Sequence, residues 1–244
     1  MPYNSIFLDS VDFIDNSWID FLSPNVISLV KQIEDNIAKE NSEFTPHSKK
    51  VLHFLTIPLS EIKVIILGQD PYPQKGVATG RAFEVGTLES WDSKFSNVSL
   101  KNIIRSIYFA YKNKFLKFSE IKPEIGLFFP LKSPKSLFVE WEKQGVLLLN
   151  TSFTCQIGKS NSHEKYWKPF TILLLKYISK TNSDLTWFLW GNNAKLIVAD
   201  VAIQNKIESM HPMMCYNRPD RDEDFLFGKR NAFKETMDKI NWLG

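Results

Sequence analysis

A carboxylate, an amide and a phenol fall within four residues in the run Leu67-Gly68-Gln69-Asp70-Pro71-Tyr72-Pro73-Gln74, held between a glycine and two prolines. Together these groups can carry charge, exchange hydrogen bonds and present an aromatic face. The run follows Val64-Ile65-Ile66, an apolar, β-branched stretch that reads as a buried strand. In open α/β proteins ligands bind where such strands end. A carboxylate fixed there on a stiff turn suits chemistry better than packing, although an Asx-turn aspartate before proline is the simpler reading of Asp70 in isolation.

Three further segments share this form. Val146–Asn150, Leu185–Gly191 and Ile207–Met210 read as buried strands, as does Lys63–Gly68, and each ends in polar residues: Asn150-Thr151, Gly191-Asn192-Asn193 and His211-Pro212. Helical spacing recurs between or after them. Leu100, Ile103, Ile104, Ile107, Tyr108 and Tyr111 form one face, Phe170, Leu173, Leu174, Tyr177 and Ile178 another, and Phe233, Met237 and Ile240 a third. Ser23-Pro24 reads as an N-cap with proline at the first helical position, ahead of Ile27, Val30, Ile33 and Ile37. Residues 1–16 read as irregular, and residues 115–140, rich in Phe, Lys and Pro, as a surface excursion. Strands alternating with helices indicate an α/β fold: a single domain with a central four-stranded parallel twisted sheet flanked by helices. Within it, residues 1–50 are expected to form an N-terminal helical extension and residues 51–244 the core. Polar residues at four strand ends would then converge on one rim.

The bulk properties narrow the partners. With 43% hydrophobic and 23% charged residues, the 244-residue chain has the composition of one large soluble domain. No apolar run reaches the roughly 18–20 residues that span a bilayer, and Met1-Pro2-Tyr3-Asn4 does not open a signal peptide. Two cysteines, Cys155 and Cys215, argue against a disulfide framework and for an intracellular, cytoplasmic protein. With four scattered histidines they also argue against a zinc cluster. The net charge of +3 permits nucleic-acid binding without establishing it.

Gly68-Gln69-Asp70-Pro71-Tyr72 resembles the water-activating motif of the family 1 uracil-DNA glycosylases. Gln144-Gly145-Val146-Leu147-Leu148-Leu149-Asn150-Thr151 is similar to the second block of that family and Phe188-Leu189-Trp190-Gly191-Asn192-Asn193-Ala194 to the third. His211-Pro212 is similar to the start of its DNA-intercalating loop. Four blocks in family order, over roughly residues 50–244, are far more specific than any one motif.

The resemblance implies hydrolysis of the bond between deoxyribose and uracil in DNA, on a nucleotide flipped out of the stack, with no metal or cofactor. By the same resemblance Asp70 orients water and stabilises the oxocarbenium-like sugar, and neutral His211 donates to the uracil O2 as charge grows there. Asn150 reads the Watson–Crick edge, donating to O4 and accepting from N3–H, a pattern cytosine reverses. Tyr72 stands against C5 and excludes the thymine methyl, Phe83 stacks on the base, and Gln69 contacts it. Ser99, His163 and Asn193 match phosphate-side positions, where solvated loop or cap residues are an equally good account. Pro212, Met213, Met214 and Tyr216 lie in the intercalating loop, and any of Met213, Met214 or Tyr216 could be the apolar wedge.

Two departures stand out. Pro73 occupies the position where the family carries histidine, so the donor role of that side chain is lost. The loop after His211 carries Asp220, Asp222, Glu223 and Asp224 beside Arg218 and Arg221. These carboxylates either fold back onto the arginines or form a partner surface. The expected partners are uracil-containing DNA, single- or double-stranded, and a DNA-mimicking protein inhibitor, with the chain acting as a monomer. A glycosylase for another modified pyrimidine and a DNA-binding scaffold are the competing readings. A flavodoxin-type nucleotide binder is disfavoured, since no glycine-rich phosphate loop follows the first strand.

Overall fold

Short segments, three of them almost wholly apolar, form the centre of the molecule. In a computed structural model, which describes residues 3–244, they form strands β1 (Val64–Gly68), β2 (Val146–Asn150), β3 (Thr186–Trp190) and β4 (Asn205–Ser209). All pairings are parallel, in the order β2-β1-β3-β4. The β1–β2 register runs from Val64 opposite Val146 to Gly68 opposite Asn150, so two of the candidate polar strand ends are direct neighbours. The edge strand β4 begins two residues before the expected segment. Its first residues, Asn205 and Lys206, are exposed, and polar residues at a sheet edge leave no apolar signature.

Alternation divides each strand between two cores. Ile65, Leu67, Leu147, Leu149, Trp187 and Leu189 face one layer, which includes helices α1 (Pro24–Lys39) and α4 (Glu164–Thr181). Val64, Ile66, Val146, Leu148, Phe188 and Trp190 face the other, formed by α2 (Val98–Lys112), α3 (Pro134–Lys143) and the C-terminal residues Phe233 and Trp242. Helix α1 begins as expected: Ser23 Oγ accepts from the Val26 N–H and Pro24 occupies the first turn. Its buried face is Val26, Val30, Ile33 and Ile37, with Ile27 at the margin.

Three expectations need correction. Residues 115–140 are not a surface excursion. They include a short helix, Phe118–Ile121, and the start of α3, and they bury Ile121, Phe129, Leu131, Leu137 and Phe138. Phe115, Leu127 and Phe128 are its exposed large apolar residues. Residues 1–16 are not simply irregular: Ile6–Asp9 is helical, capped by Ser5, and buries Phe7 and Leu8 against the first core. Met1 and Pro2, at the start of that stretch, lie outside the described residues. The third expected helical face is cut short, because the helix covers only Ala232–Glu235. It stops at Thr236, whose hydroxyl donates back to the Ala232 carbonyl at 2.7 Å, and this leaves Met237 exposed while Phe233 and Ile240 stay buried. Among the described residues no helix is long and apolar enough to cross a membrane.

Candidate active site

The turn after β1 is fixed through its carbonyls, which suits a segment whose two prolines have no N–H to offer. The Gln69 carbonyl accepts from the Ser152 N–H and the Thr151 hydroxyl, each at 2.9 Å. The Pro71 carbonyl accepts from Cys155 Sγ at 3.3 Å, and that of Pro73 from the Gly158 N–H at 2.9 Å. The chain that follows β2 therefore cradles the chain that follows β1.

Asp70 sits in this cradle. Its Oδ2 accepts from the Asn161 N–H at 2.6 Å. Burial pushes the carboxyl above its ordinary range; the Asn161 bond opposes the shift and nearby Glu164 adds to it. Asn161 adopts a left-handed conformation, φ 64°, which asparagine tolerates better than most residues. Its side-chain Oδ1 is buried without a hydrogen-bond partner. In the tripeptide Asn161-Ser162-His163, the sequence points to the histidine, but it is the first residue that reaches the site, through its backbone.

Phe83 is held in place from behind. It has φ 66°, a conformation that costs a non-glycine residue on the order of 1–3 kcal/mol and persists only when its surroundings impose it. Two anchors do so. The Ala82 N–H donates to the Leu148 carbonyl on β2 at 3.2 Å. The Arg81 guanidinium grips Glu142 of α3 with two bonds, at 2.7 and 2.8 Å, while His53 Nε2 lies 2.9 Å from the same carboxylate. Burial works against ionisation of Glu142, but His53 and Arg81 outweigh it and hold the carboxyl at about 2. The Phe83 ring lies 5.4 Å from Trp190 and 6.2 Å from His211, centroid to centroid. Tyr72 donates its hydroxyl to the Phe83 carbonyl at 3.4 Å, and burial pushes that hydroxyl up to about 12, so it stays protonated.

His211 follows β4. Burial pushes its pKa below the ordinary value. Its Nδ1 accepts from the Met213 N–H at 3.2 Å, so the neutral ring carries its proton on Nε2 and can donate from there. Two glycines make room for the polar side chains. A Cβ on Gly68 would collide with Asn150 Oδ1 and stand 2.8 Å from Ala82 Cβ, and one on Gly191 would stand 2.9 Å from His211 Cβ.

Gln69, Asp70, Tyr72, Phe83, Ser99, Asn150, His211 and Met213 all line one cavity of about 310 Å³, with Pro73 at its wall. The other sequence candidates lie elsewhere. Asn193 and Met214 line a neighbouring groove that shares Gln69 and His211 with the cavity. The His163 side chain is 0% exposed, between Thr154 Oγ1 at 2.9 Å and Glu40 Oε2 at 3.2 Å, so it is a packed core histidine and is not free to meet a phosphate. Pro212 is also buried, its carbonyl accepting from Asn102 Nδ2 at 2.7 Å; it anchors the loop and does not face outward. Met213, Met214 and Tyr216 are exposed, at 58%, 49% and 48%. Among the described residues no group of three or more His, Cys, Asp or Glu side chains is placed to share a metal ion.

The pattern of the Uracil DNA glycosylase superfamily matches residues 55–237, three quarters of the chain and all four strands with their polar ends. The chain belongs to the uracil DNA glycosylase superfamily. A uracil-DNA glycosylase of Fusobacterium nucleatum is 33% identical over 187 residues, covering 75% of this chain and 73% of its own length. Uracil-DNA glycosylase 1 of Listeria monocytogenes serotype 4b is 31% identical over 238 residues, 93% of this chain and 96% of the relative. Among solved structures, the UNG of Nitratifractor salsuginis superposes with a TM-score of 0.66 at 24% identity, covering 82% of this chain and 85% of that one. A mimivirus UNG variant crystallised in complex with UGI gives 0.67 at 22% identity, over 93% of this chain and 84% of that one. These two superpositions bear on the fold, a four-stranded parallel sheet between helical layers.

Proposed function

We propose that this superfamily member excises uracil from DNA by hydrolysing the glycosidic bond of a flipped-out deoxyuridine, leaving an abasic site. The observation that carries the reading is the convergence, in one cavity, of a half-buried carboxylate, a strand-end amide and a neutral imidazole with its proton on Nε2. As the bond to the sugar breaks, positive charge grows on the deoxyribose and negative charge on the base. Asp70 faces the first and orients the attacking water; His211 Nε2–H donates to O2 and stabilises the second. A neutral donor suits this task because it can share its proton without giving it up. Burial is the main influence on Asp70, with the Asn161 N–H and Glu164 beside it and no cation among them, which leaves its charge available to the sugar. A pure scaffold has no use for such a costly group. Asp70 stands where a bifunctional enzyme would need an amine, so water attacks and no Schiff base forms.

Asn150 selects uracil over cytosine, because the reversed pairing would leave buried polar groups unsatisfied, at about 1–3 kcal/mol each. Tyr72, pinned at its hydroxyl, provides a wall against a C5 methyl, and Phe83 stacks on the base. Ser99, at the start of α2, completes the cavity. The reading takes the chain to act as a monomer. A DNA-mimicking acidic protein would compete for the same face.

The test uses oligonucleotides with one uracil, single- or double-stranded, beside thymine and a panel of modified pyrimidines. Uracil release from both uracil substrates, and none from thymine, is expected. Release of another pyrimidine in place of uracil, or of none, would overturn the reading.

A further inference from the structure

The four carboxylates of the loop after His211 have different fates. Asp222 pairs with Lys229 and Glu223 with Lys195 at the surface, and Asp220 is exposed. Asp224 alone is buried, at 1% exposure. Its Oδ1 accepts from the N–H groups of Leu226 and Phe227 at 2.9 and 3.0 Å. Its Oδ2 accepts from the Tyr216 N–H at 2.8 Å and from Arg221 Nε at 3.2 Å. One carboxylate thus ties together the outgoing chain at 216, the crest at 221 and the returning chain at 226–227. Arg221 extends the clamp: an Nη2 donates to the Met214 carbonyl, and the guanidinium lies 4.9 Å from the centre of the Tyr216 ring. Met214 and Tyr216, two of the three exposed apolar residues of this loop, are therefore both held by the Asp224–Arg221 pair.

We propose that Asp224, acting through Arg221, is a positioning residue that pre-forms the loop which opens duplex DNA, and that it governs excision of paired uracil and not bond cleavage. This rests on the reading of the chain as a uracil excision enzyme. An apolar wedge must displace a base from its stack, which costs a few kcal/mol per step. A loop that had to be ordered in the same event would add its own conformational entropy to that barrier. A loop already closed on a buried carboxylate adds little. Single-stranded substrate has no stacked partner to displace, so its cleavage draws little on the loop.

Asp224→Asn keeps the volume but removes the charge and turns one acceptor into a donor facing an N–H. kcat/KM is measured on uracil in three settings: single-stranded, mispaired with guanine and paired with adenine. The expected loss is graded, within about threefold on the single strand and roughly ten- to a hundredfold on the adenine pair, with the guanine mispair between. An equal loss on all three, or no loss on the adenine pair, overturns the proposal. If Asp224→Asn fails to fold, as judged by thermal melting, Arg221→Lys decides. That variant keeps a charge but loses the fork that joins Asp224 to Met214, and the same graded order is expected with smaller losses; a uniform loss or none overturns the proposal. If the unaltered protein releases uracil from none of the three substrates, the function reading fails, whatever the role of the loop.

Discussion

Asn150 lines the cavity and Tyr216 belongs to the exposed loop after His211, and the two are held by different means. Asn150 ends an edge strand of the sheet, opposite Gly68 in a ladder of five registered pairs, and the turn beside it is fixed by backbone carbonyls. Tyr216 belongs to a long excursion whose shape depends on one buried carboxylate and one guanidinium. The proposed base reading is thus built into the sheet, where losing one hydrogen bond changes little in the frame. The proposed duplex opening is built on a loop, where losing one ionic group changes the frame itself. The cavity is expected to fail by losing chemistry, and the loop by losing selectivity for paired substrate.

Substitutions in the cavity sharpen this contrast. The largest effect is expected for Asp70→Asn: turnover falls on the order of a thousandfold or more on single- and double-stranded substrate alike, while DNA binding survives. The same variant is expected to melt at a higher temperature near neutral pH. A carboxyl raised by burial binds its proton more tightly in the folded state. Stability is therefore lost as pH rises from its ordinary value through the raised one, and asparagine removes that penalty. Scanning calorimetry at several pH values checks the sign. In the unaltered protein, kcat is expected to fall as the pH drops through the raised value of Asp70. His211, shifted downward, adds its own protonation at lower pH than an ordinary histidine would.

His211→Ala is next, with kcat lower by roughly a hundredfold or more, again without regard to strandedness. A loss confined to duplex DNA would erase the distinction between cavity and loop. Asn150→Asp is expected to lower uracil release roughly tenfold and to admit cytosine, read as cytosine release from a matched oligonucleotide. The smallest effect is expected for Arg81→Lys, which replaces a two-bond grip on Glu142 with a point charge. A loosened Phe83 should raise KM by about threefold with kcat nearly unchanged, partly offset by relief of its backbone strain.

Much of this site is legible in the sequence, for physical reasons. Strands buried on both faces must be continuous apolar runs, so β1, β2 and β3 stand out within a residue of their ends, and the polar residues that follow them mark the rim. Asp70 and Tyr72 are conspicuous because the prolines around them leave few conformations. The remainder depends on contacts distant in sequence. His163 looks available until Glu40 and Thr154 enclose it, and Pro212 until Asn102 takes its carbonyl. The Asn161 contribution is a backbone N–H, which every residue but proline possesses and no sequence can flag. Asp220, Asp222, Glu223 and Asp224 are alike on paper, and only burial separates the last. Residues 115–140 were expected on the surface because they are rich in Phe, Lys and Pro, yet several of their apolar groups fill the second core.

The two glycines behind the cavity bear on how this protein can change over generations. At Gly68 even a methyl group would displace Asn150, and at Gly191 it would crowd His211. Relief at Gly68 requires a change at Asn150, the residue proposed to read the base, whereas the contact at Gly191 is with the His211 Cβ, which every residue but glycine carries. A lineage carrying this cavity is expected to keep both glycines. Heritable variation has an easier route through the loop, where Met213, Met214 and Tyr216 can be exchanged while Asp224 keeps its four donors.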